Sequence, residues 1–341
     1  MTSSGEPALP APPPGPSVVR RPLDAAGVRR GDDAFRLATA GAGLVVVLAF
    51  VATGAFLVKE AWPSLRHYGV LSFLTSTRWA PSEAVQTLSH PNPYGILQFV
   101  YGTVVTSLIA MVLAVPVAVA VALYITEVAP QRLRRPLSYL VDLLAAVPSV
   151  VYGFWGIFAL LPAIRPIGTW LAENLGTWPV IGPVFAGPFF GPSYFAAGLV
   201  LAVMVLPIIT AICREIFAVA PLAEKEAALA LGATRWEMLR LAVLRRSHAG
   251  IFGASILGLG RAFGETIAVT MLIGNSVLQL TTSILGQGAT MPSVMASEFT
   301  EATEPFHLTS LFVVAMWLLV LTVIVNVIGK LIVSRIDQRI A

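Results

Sequence analysis

An arginine and a glutamate, Arg261 and Glu265, stand four residues apart in the stretch GLGRAFGETIAV, in the middle of an apolar run over 251–274. At helical spacing the two side chains fall on one face, one turn apart, and can form an ion pair. Ala254, Gly258 and Ala268 lie along that face and leave room beside the pair. Gly253, Gly260 and Gly264 form a neighbouring stripe suited to close helix approach. On insertion scales each charge at a bilayer centre costs roughly 2.5–3.5 kcal/mol before pairing. Two chemistries fit. The pair can fix the register of a packed helix. Alternatively, the always-charged guanidinium can meet an anion on a polar path, with Glu265 orienting it and holding its charge when the path is empty. The second is favoured, because pairing alone gives no reason to keep two costly groups in place of two apolar ones.

A second constellation lies upstream, in EAALALGATRWEMLRLAVL, which begins at Glu226. Pro221 suits the opening of a helix, 222–231 holds good helix formers, and Gly232 is a natural C-terminal cap. Thr234 followed by Glu237 makes a capping box for a second helix. The expectation is two short helices joined by a tight turn at Gly232. Physically this is either a docking surface or an ordinary loop between spans.

The elements that must hold these residues follow from composition. The chain has 341 residues, 56% hydrophobic and only 12% charged, with a mean hydropathy of +0.80. Soluble domains carry about a quarter charged residues, so a polytopic membrane protein is the class that fits. A span needs roughly 20 apolar residues. Six such runs are present, over about 37–58, 99–125, 137–161, 194–213, 251–274 and 308–333. Runs this long point to helices rather than barrel strands, so the expected fold class is all-α with six transmembrane helices. Lys and Arg concentrate before the first run, after the second, between the fourth and fifth, and after the last. Only Lys59, Arg66, Arg78 and Arg165 fall on the other side. This bias puts both termini in the cytoplasm, in contact with the lipid bilayer and with no nucleic-acid signal.

The expected organisation is a Pro-rich cytoplasmic tail and basic segment over 1–36 and a six-helix transmembrane domain over 37–333. The loop around Gly232 occupies about 214–250 of that domain, and a short cytoplasmic tail covers 334–341. The first apolar run is too long for a signal-peptide core and is read as a retained anchor. Pro116, Pro148 and Pro207 interrupt spans near their middles. Asp142 is read as an interfacial residue paired with a loop arginine such as Arg135. Trp62, Trp79 and Trp170 are read as interface anchors. Cys213 is alone, and His67, His90, His248 and His307 show no metal-ligand spacing. They likewise offer no facial nucleophile-and-base cluster for a membrane enzyme acting on lipid phosphate.

The loop also carries a resemblance. Glu226, Ala227 and Ala228, three residues, then Gly232 resemble the EAA…G loop of ABC importer permeases, where this element docks on the cytoplasmic ATPase. The family pattern continues to Leu-Pro. Here Ala242 and Leu244 keep register, but Arg245 stands at the proline position. Four blocks in order resemble the PstC-type permease subunits of bacterial phosphate importers: PYGILQFVYGT (93–103), AAVPSVVYGFWGIF (145–158), GLGRAFGETIAVTMLIGN (258–275) and MPSVMASEFTEAT (291–303). The PstA-type sister subunit resembles the 258–275 and 145–158 blocks but usually reads differently after the GRA-GE core.

That resemblance implies the type I ABC importer permease architecture, with phosphate carried by alternating access. Arg261 and Glu265 then occupy the family's intramembrane Arg and Glu positions, implicated in phosphate passage. It implies as partners a PstA-type permease, two PstB-type ATPase subunits and an extracytoplasmic PstS-type binding protein. ATP and Mg are expected in the ATPase subunits, with no cofactor in this chain. The only Gly-Lys pair, Gly329-Lys330, is followed by Leu331 and cannot form a nucleotide-binding P-loop. Taken without the resemblance, Arg261 fits other oxyanions, such as sulfate or molybdate, equally well.

Overall fold

The computed structural model describes residues 25–81, 93–277 and 280–340, with side chains from 33 to 335 within those ranges. The Pro-rich stretch and Arg20 and Arg21 lie outside the described residues, as does His90. Described secondary structure is helical apart from two isolated bridges, Trp79–Tyr94 and Gly274–Gly288. The chain divides into two units, 1–53 and 54–341.

In the first unit, helix α1 (Ala25–Tyr68) begins within the segment expected as a basic tail. From Asp33 to Thr53 every side chain is exposed, including Leu44, Val46 and Phe50. A helix apolar on all sides suits hydrocarbon surroundings.

In the second unit a short helix, α2 (Val70–Thr75), precedes α3 (Leu97–Leu123), which a π turn extends through Tyr124–Val128. After α4 (Gln131–Ala146) come α5 (Ser149–Trp155), a π segment at Gly156–Leu160 and α6 (Leu161–Asn174). The short α7 (Gly182–Phe185) leads to the central α8 (Tyr194–Ala218). Then follow α9 (Leu222–Ala230), α10 (Arg235–Met238), a π segment at Leu239–Leu244, α11 (Arg245–Phe263) and α12 (Ile267–Ile273). The last two are α13 (Met291–Glu298) and α14 (Pro305–Ile340), which carries helix through the expected C-terminal tail. Among the described residues five helices are long and apolar enough to cross a membrane, and a sixth span forms if Arg235–Phe263 and Ile267–Ile273, bent by 66°, count as one.

The third span differs from expectation. The run over 137–161 is not one crossing helix: α4 ends at Ala146 and the crossing segment is Ser149–Asn174. Proline disfavours helical backbone in the residue before it, and Val147 is extended at φ −66°, ψ 129°. Pro148 is therefore the N-cap of α5 rather than a mid-span kink. Pro116 and Pro207 do lie inside α3 and α8.

The core is built on close approach. Ala110, Ala114, Ala118 and Ala122 repeat every fourth residue along α3 and are fully buried with Ala197, Leu201, Val205 and Ile209 of α8. Small side chains in a row let two membrane helices approach closely enough for dense van der Waals contact. A second cluster gathers Phe73, Trp79, Tyr94, Phe99, Met291 and Leu311. Both the 93–103 and the 291–303 blocks enter it. Thr103 Oγ1 accepts from the Met291 amide at 3.0 Å. Gly102 lies so close to the Ala289 carbonyl and the Tyr194 ring that an added Cβ would overlap the backbone oxygen. Replacing Gly102 with Ala is expected to cost about 1–3 kcal/mol of overpacking, read as a lower thermal midpoint of the purified chain. Gly43, with nothing within 4 Å of an added Cβ, should tolerate the same change.

Candidate functional site

Local sequence dictates the loop around Gly232. Helix α9 starts after Pro221 and ends with Leu231 as C-cap. Gly232 has φ +84°, the left-handed region that favours glycine. The Ala233 amide donates to the Ala228 carbonyl at 3.1 Å, and the Gly232 amide to the Leu229 carbonyl at 3.0 Å. These two bonds form a Schellman motif. Thr234 then opens α10 with the expected capping box: its Oγ1 accepts from the Glu237 amide, and Glu237 Oε2 accepts from the Thr234 amide at 2.8 Å.

No residue of α9 is buried. Glu226 and Ala227 are exposed and Ala228 half-buried; Leu222, Leu229, Leu231 and Trp236 also stand open, Leu231 at 90%. They leave an apolar group exposed on an otherwise anchored loop. The anchors are ionic and apolar. Lys225 pairs with Glu127 at 2.6 Å and Arg246 with Glu224 at 2.6 Å, while Leu239 and Val243 enter the core. Arg245 keeps the loop continuous with the following span. Its amide donates to the Arg240 carbonyl within the π segment, a bond that proline could not make.

Arg261 and Glu265 meet, but not on one unbroken helix. Helix α11 ends at Phe263 with Gly264 as C-cap, and α12 restarts after Thr266. Arg261 Nη2 and Glu265 Oε2 are 3.3 Å apart across this break. Their environments differ sharply: the Glu265 side chain is 4% exposed and that of Arg261 52%. Glu265 Oε1 also faces the Ala268 amide at a long 3.5 Å, at the opening of α12, where a helix end favours negative charge. Glu265 is thus faced from two sides, and about half of the Arg261 side chain is left open.

The expected glycine stripe does not pack closely against a neighbouring helix of this chain. Gly253 has nothing within 4 Å of an added Cβ, Gly260 meets only Asn326 Oδ1 at 4.0 Å, and Gly264 only the Gly260 carbonyl oxygen at 3.8 Å. None of the three mediates close helix approach within this chain. Gly258 does: Ile209 of α8 lies 2.7 Å from where its Cβ would stand. Ala254, Ala262 and Ala268 are buried on neighbouring positions.

Two other expectations change. Asp142 pairs with Arg214 at 3.3 Å, not with Arg135, because α4 packs against α8 while Arg135 lies two turns away on the same helix, about 10 Å along its axis. Trp79 is no interface anchor but fully buried. Its Nε1 donates to Glu298 Oε2 at 2.6 Å, and His307 Nε2 lies 2.9 Å from the same oxygen. Trp62 and Trp170 remain exposed. Beside this group, burial first and then Tyr68, Glu304 and Glu298 push the Tyr94 phenol up. Sequence spacing carried no signal for the Glu298 cluster or the Lys225–Glu127 pair, whose partners are up to 219 residues apart. Among the described residues no three of His, Cys, Asp and Glu converge on a metal position.

Residues 114–338 match the family described as binding-protein-dependent transport system inner membrane component. The phosphate transport system permease protein PstC of Xylella fastidiosa (strain 9a5c) is 42% identical over 311 residues, 91% of this chain and 93% of the relative. PstC 2 of Mycobacterium tuberculosis (strain ATCC 25618 / H37Rv) is 42% identical over 304 residues, 89% and 92% of the two chains. PstC of Haemophilus influenzae is 37% identical over 308 residues, 89% and 93%. A solved chain of the MetNI methionine ABC transporter, in an inward-facing conformation, aligns with TM-score 0.49 and 21% identity over 71% of this chain and 94% of that one.

The fold is thus an all-α, multi-pass membrane permease, a translocation component of an ABC importer. The chain belongs to the binding-protein-dependent inner membrane components and, within them, to the PstC permeases.

Proposed function

We propose that this chain forms one half of the path by which inorganic phosphate enters a bacterial cell across the cytoplasmic membrane, by alternating access. The observation that carries the reading is the asymmetry of the intramembrane pair: Glu265 buried, Arg261 half open. An arginine facing hydrocarbon is costly, so the open side of Arg261 is assigned to a polar path completed by a PstA-type permease. The substrate comes from the relatives' printed names, since the guanidinium alone fits any oxyanion. Arg261 binds the anion and Glu265 positions Arg261.

The exposed group at Glu226, Ala227, Ala228, Leu231 and Gly232 docks on one of two PstB-type ATPase subunits, which bind ATP and Mg and supply the driving energy. This chain contributes no catalytic residue and no cofactor. A PstS-type binding protein delivers phosphate to the outer face, and both termini lie in the cytoplasm, following the Lys and Arg bias.

The test is uptake of labelled phosphate by the reconstituted complex in the presence of unlabelled anions. Excess phosphate should abolish the labelled signal, while sulfate and molybdate at the same concentration leave it unchanged. Equal competition by sulfate or molybdate would assign the path to another oxyanion.

A further inference from the structure

We propose that the side of this chain bearing α9 carries a binding site for an anionic phospholipid. Its headgroup phosphate is held by Arg134 and Arg214, and one acyl chain lies between α3 and α4. The site does not depend on which anion the path carries.

Two adjoining cavities make the case. One is an apolar groove of about 640 Å³ between α3 and α4, lined by Pro116, Ala120, Val121, Leu137, Leu140 and Leu144 among others. The other is a polar pocket of about 460 Å³ whose walls include Glu127, Arg134, Ser138, Arg214 and Lys225. Ile125 lines both. The pair therefore offers an apolar channel ending in a basic chamber, the chemistry of a lipid with a charged head. Basic pockets between membrane helices on the cytoplasmic side are suited to acidic headgroups.

The charges in the chamber are unevenly committed. Lys225 is neutralised by Glu127 at 2.6 Å. Arg214 directs Nη2 to Asp142 at 3.3 Å and, more distantly, to Glu215 at 3.8 Å, but its Nη1 is buried with no hydrogen-bond partner. Arg134 donates Nε to the Ala129 carbonyl at 2.9 Å and makes no ion pair among the described residues. A buried guanidinium nitrogen without an acceptor is destabilising. A phosphodiester oxygen supplies that acceptor and can engage a guanidinium through two parallel bonds.

A zwitterionic choline head would bring its own cation beside the arginines, so an anionic lipid is preferred. Free inorganic phosphate would satisfy the arginines yet leave the groove empty. The position also matters for transport: Lys225 precedes Glu226, so an occupant of the chamber touches the base of the docking loop.

The experiment uses the purified permease complex, stripped of lipid and titrated in detergent with dioleoyl-phosphatidylglycerol or dioleoyl-phosphatidylcholine, and bound lipid is counted by native mass spectrometry. Phosphatidylglycerol should bind at least about tenfold more tightly, the scale expected for two basic side chains near a headgroup. Arg134→Gln, which leaves the Arg214–Asp142 pair intact, should remove most of that preference. Ala120→Phe, filling the groove without touching the arginines, should weaken phosphatidylglycerol and leave binding of labelled inorganic phosphate unchanged. Equal retention of the two lipids would overturn the proposal. So would phosphatidylglycerol binding indifferent to both variants, or an inorganic phosphate site there with Ala120→Phe silent toward lipid.

Discussion

Arg261→Gln should reduce phosphate uptake to background while the permease still assembles. Glutamine keeps much of the side chain's volume and removes the charge that faces the proposed path. Because half of the Arg261 side chain is open and Glu265 is almost fully enclosed, the two neutralisations should not be equivalent. Glu265→Gln leaves Arg261 charged and unpaired, which strengthens its hold on an anion and slows release. Uptake should then be impaired but not absent, with a lower apparent KM for phosphate. Two equal losses of assembled protein would instead mark a register-fixing ion pair. The break at Gly264 gives the pair a further property: Arg261 sits on α11 and Glu265 in the turn before α12, where the two segments bend by 66°. A change in that bend would alter how Glu265 holds Arg261.

Gly232→Val should abolish uptake by a different route, with chain insertion intact. At φ +84° a β-branched side chain meets its own backbone, at a cost of roughly 1–2 kcal/mol. The turn would open and its two Schellman bonds would be lost, displacing Leu231 and Ala228 from the proposed docking surface. Nothing lies within 4 Å of an added Cβ at this position, so crowding cannot be the cause. Gly232→Asn, whose side chain tolerates left-handed backbone, should therefore keep much of the uptake. The readout is phosphate-stimulated ATPase activity of the assembled complex. Normal coupled hydrolysis in the valine variant would remove the docking role from this turn.

What the sequence revealed, and what it hid, follows the range of the forces involved. The Gly232 turn and the Thr234–Glu237 box were legible because capping is local: donor, acceptor and backbone sign all lie within six residues. The number of apolar runs was legible because crossing a bilayer sets a length. Their boundaries were less so. Hydropathy averaged over 137–161 cannot register that Pro148 starts a new helix. Over 251–274 it cannot register a turn made by three residues between Phe263 and Ile267. Long-range pairing was invisible. Asp142 finds Arg214, 72 residues away, and Trp79 is buried because Glu298 supplies an acceptor 219 residues on. For the same reason the glycines at 253, 260 and 264 looked like a packing face, although the helix that packs meets Gly258 instead.

The most direct test of Arg261 as the anion-facing residue is the double change Arg261→Leu with Glu265→Leu. Removing both charges together avoids stranding either one, so the penalty of an unpaired buried carboxylate disappears. The quantity to measure is phosphate uptake per assembled complex in proteoliposomes. The double-leucine complex should assemble at wild-type level and transport no phosphate above background. Transport at near the wild-type rate would remove Arg261 from the anion path.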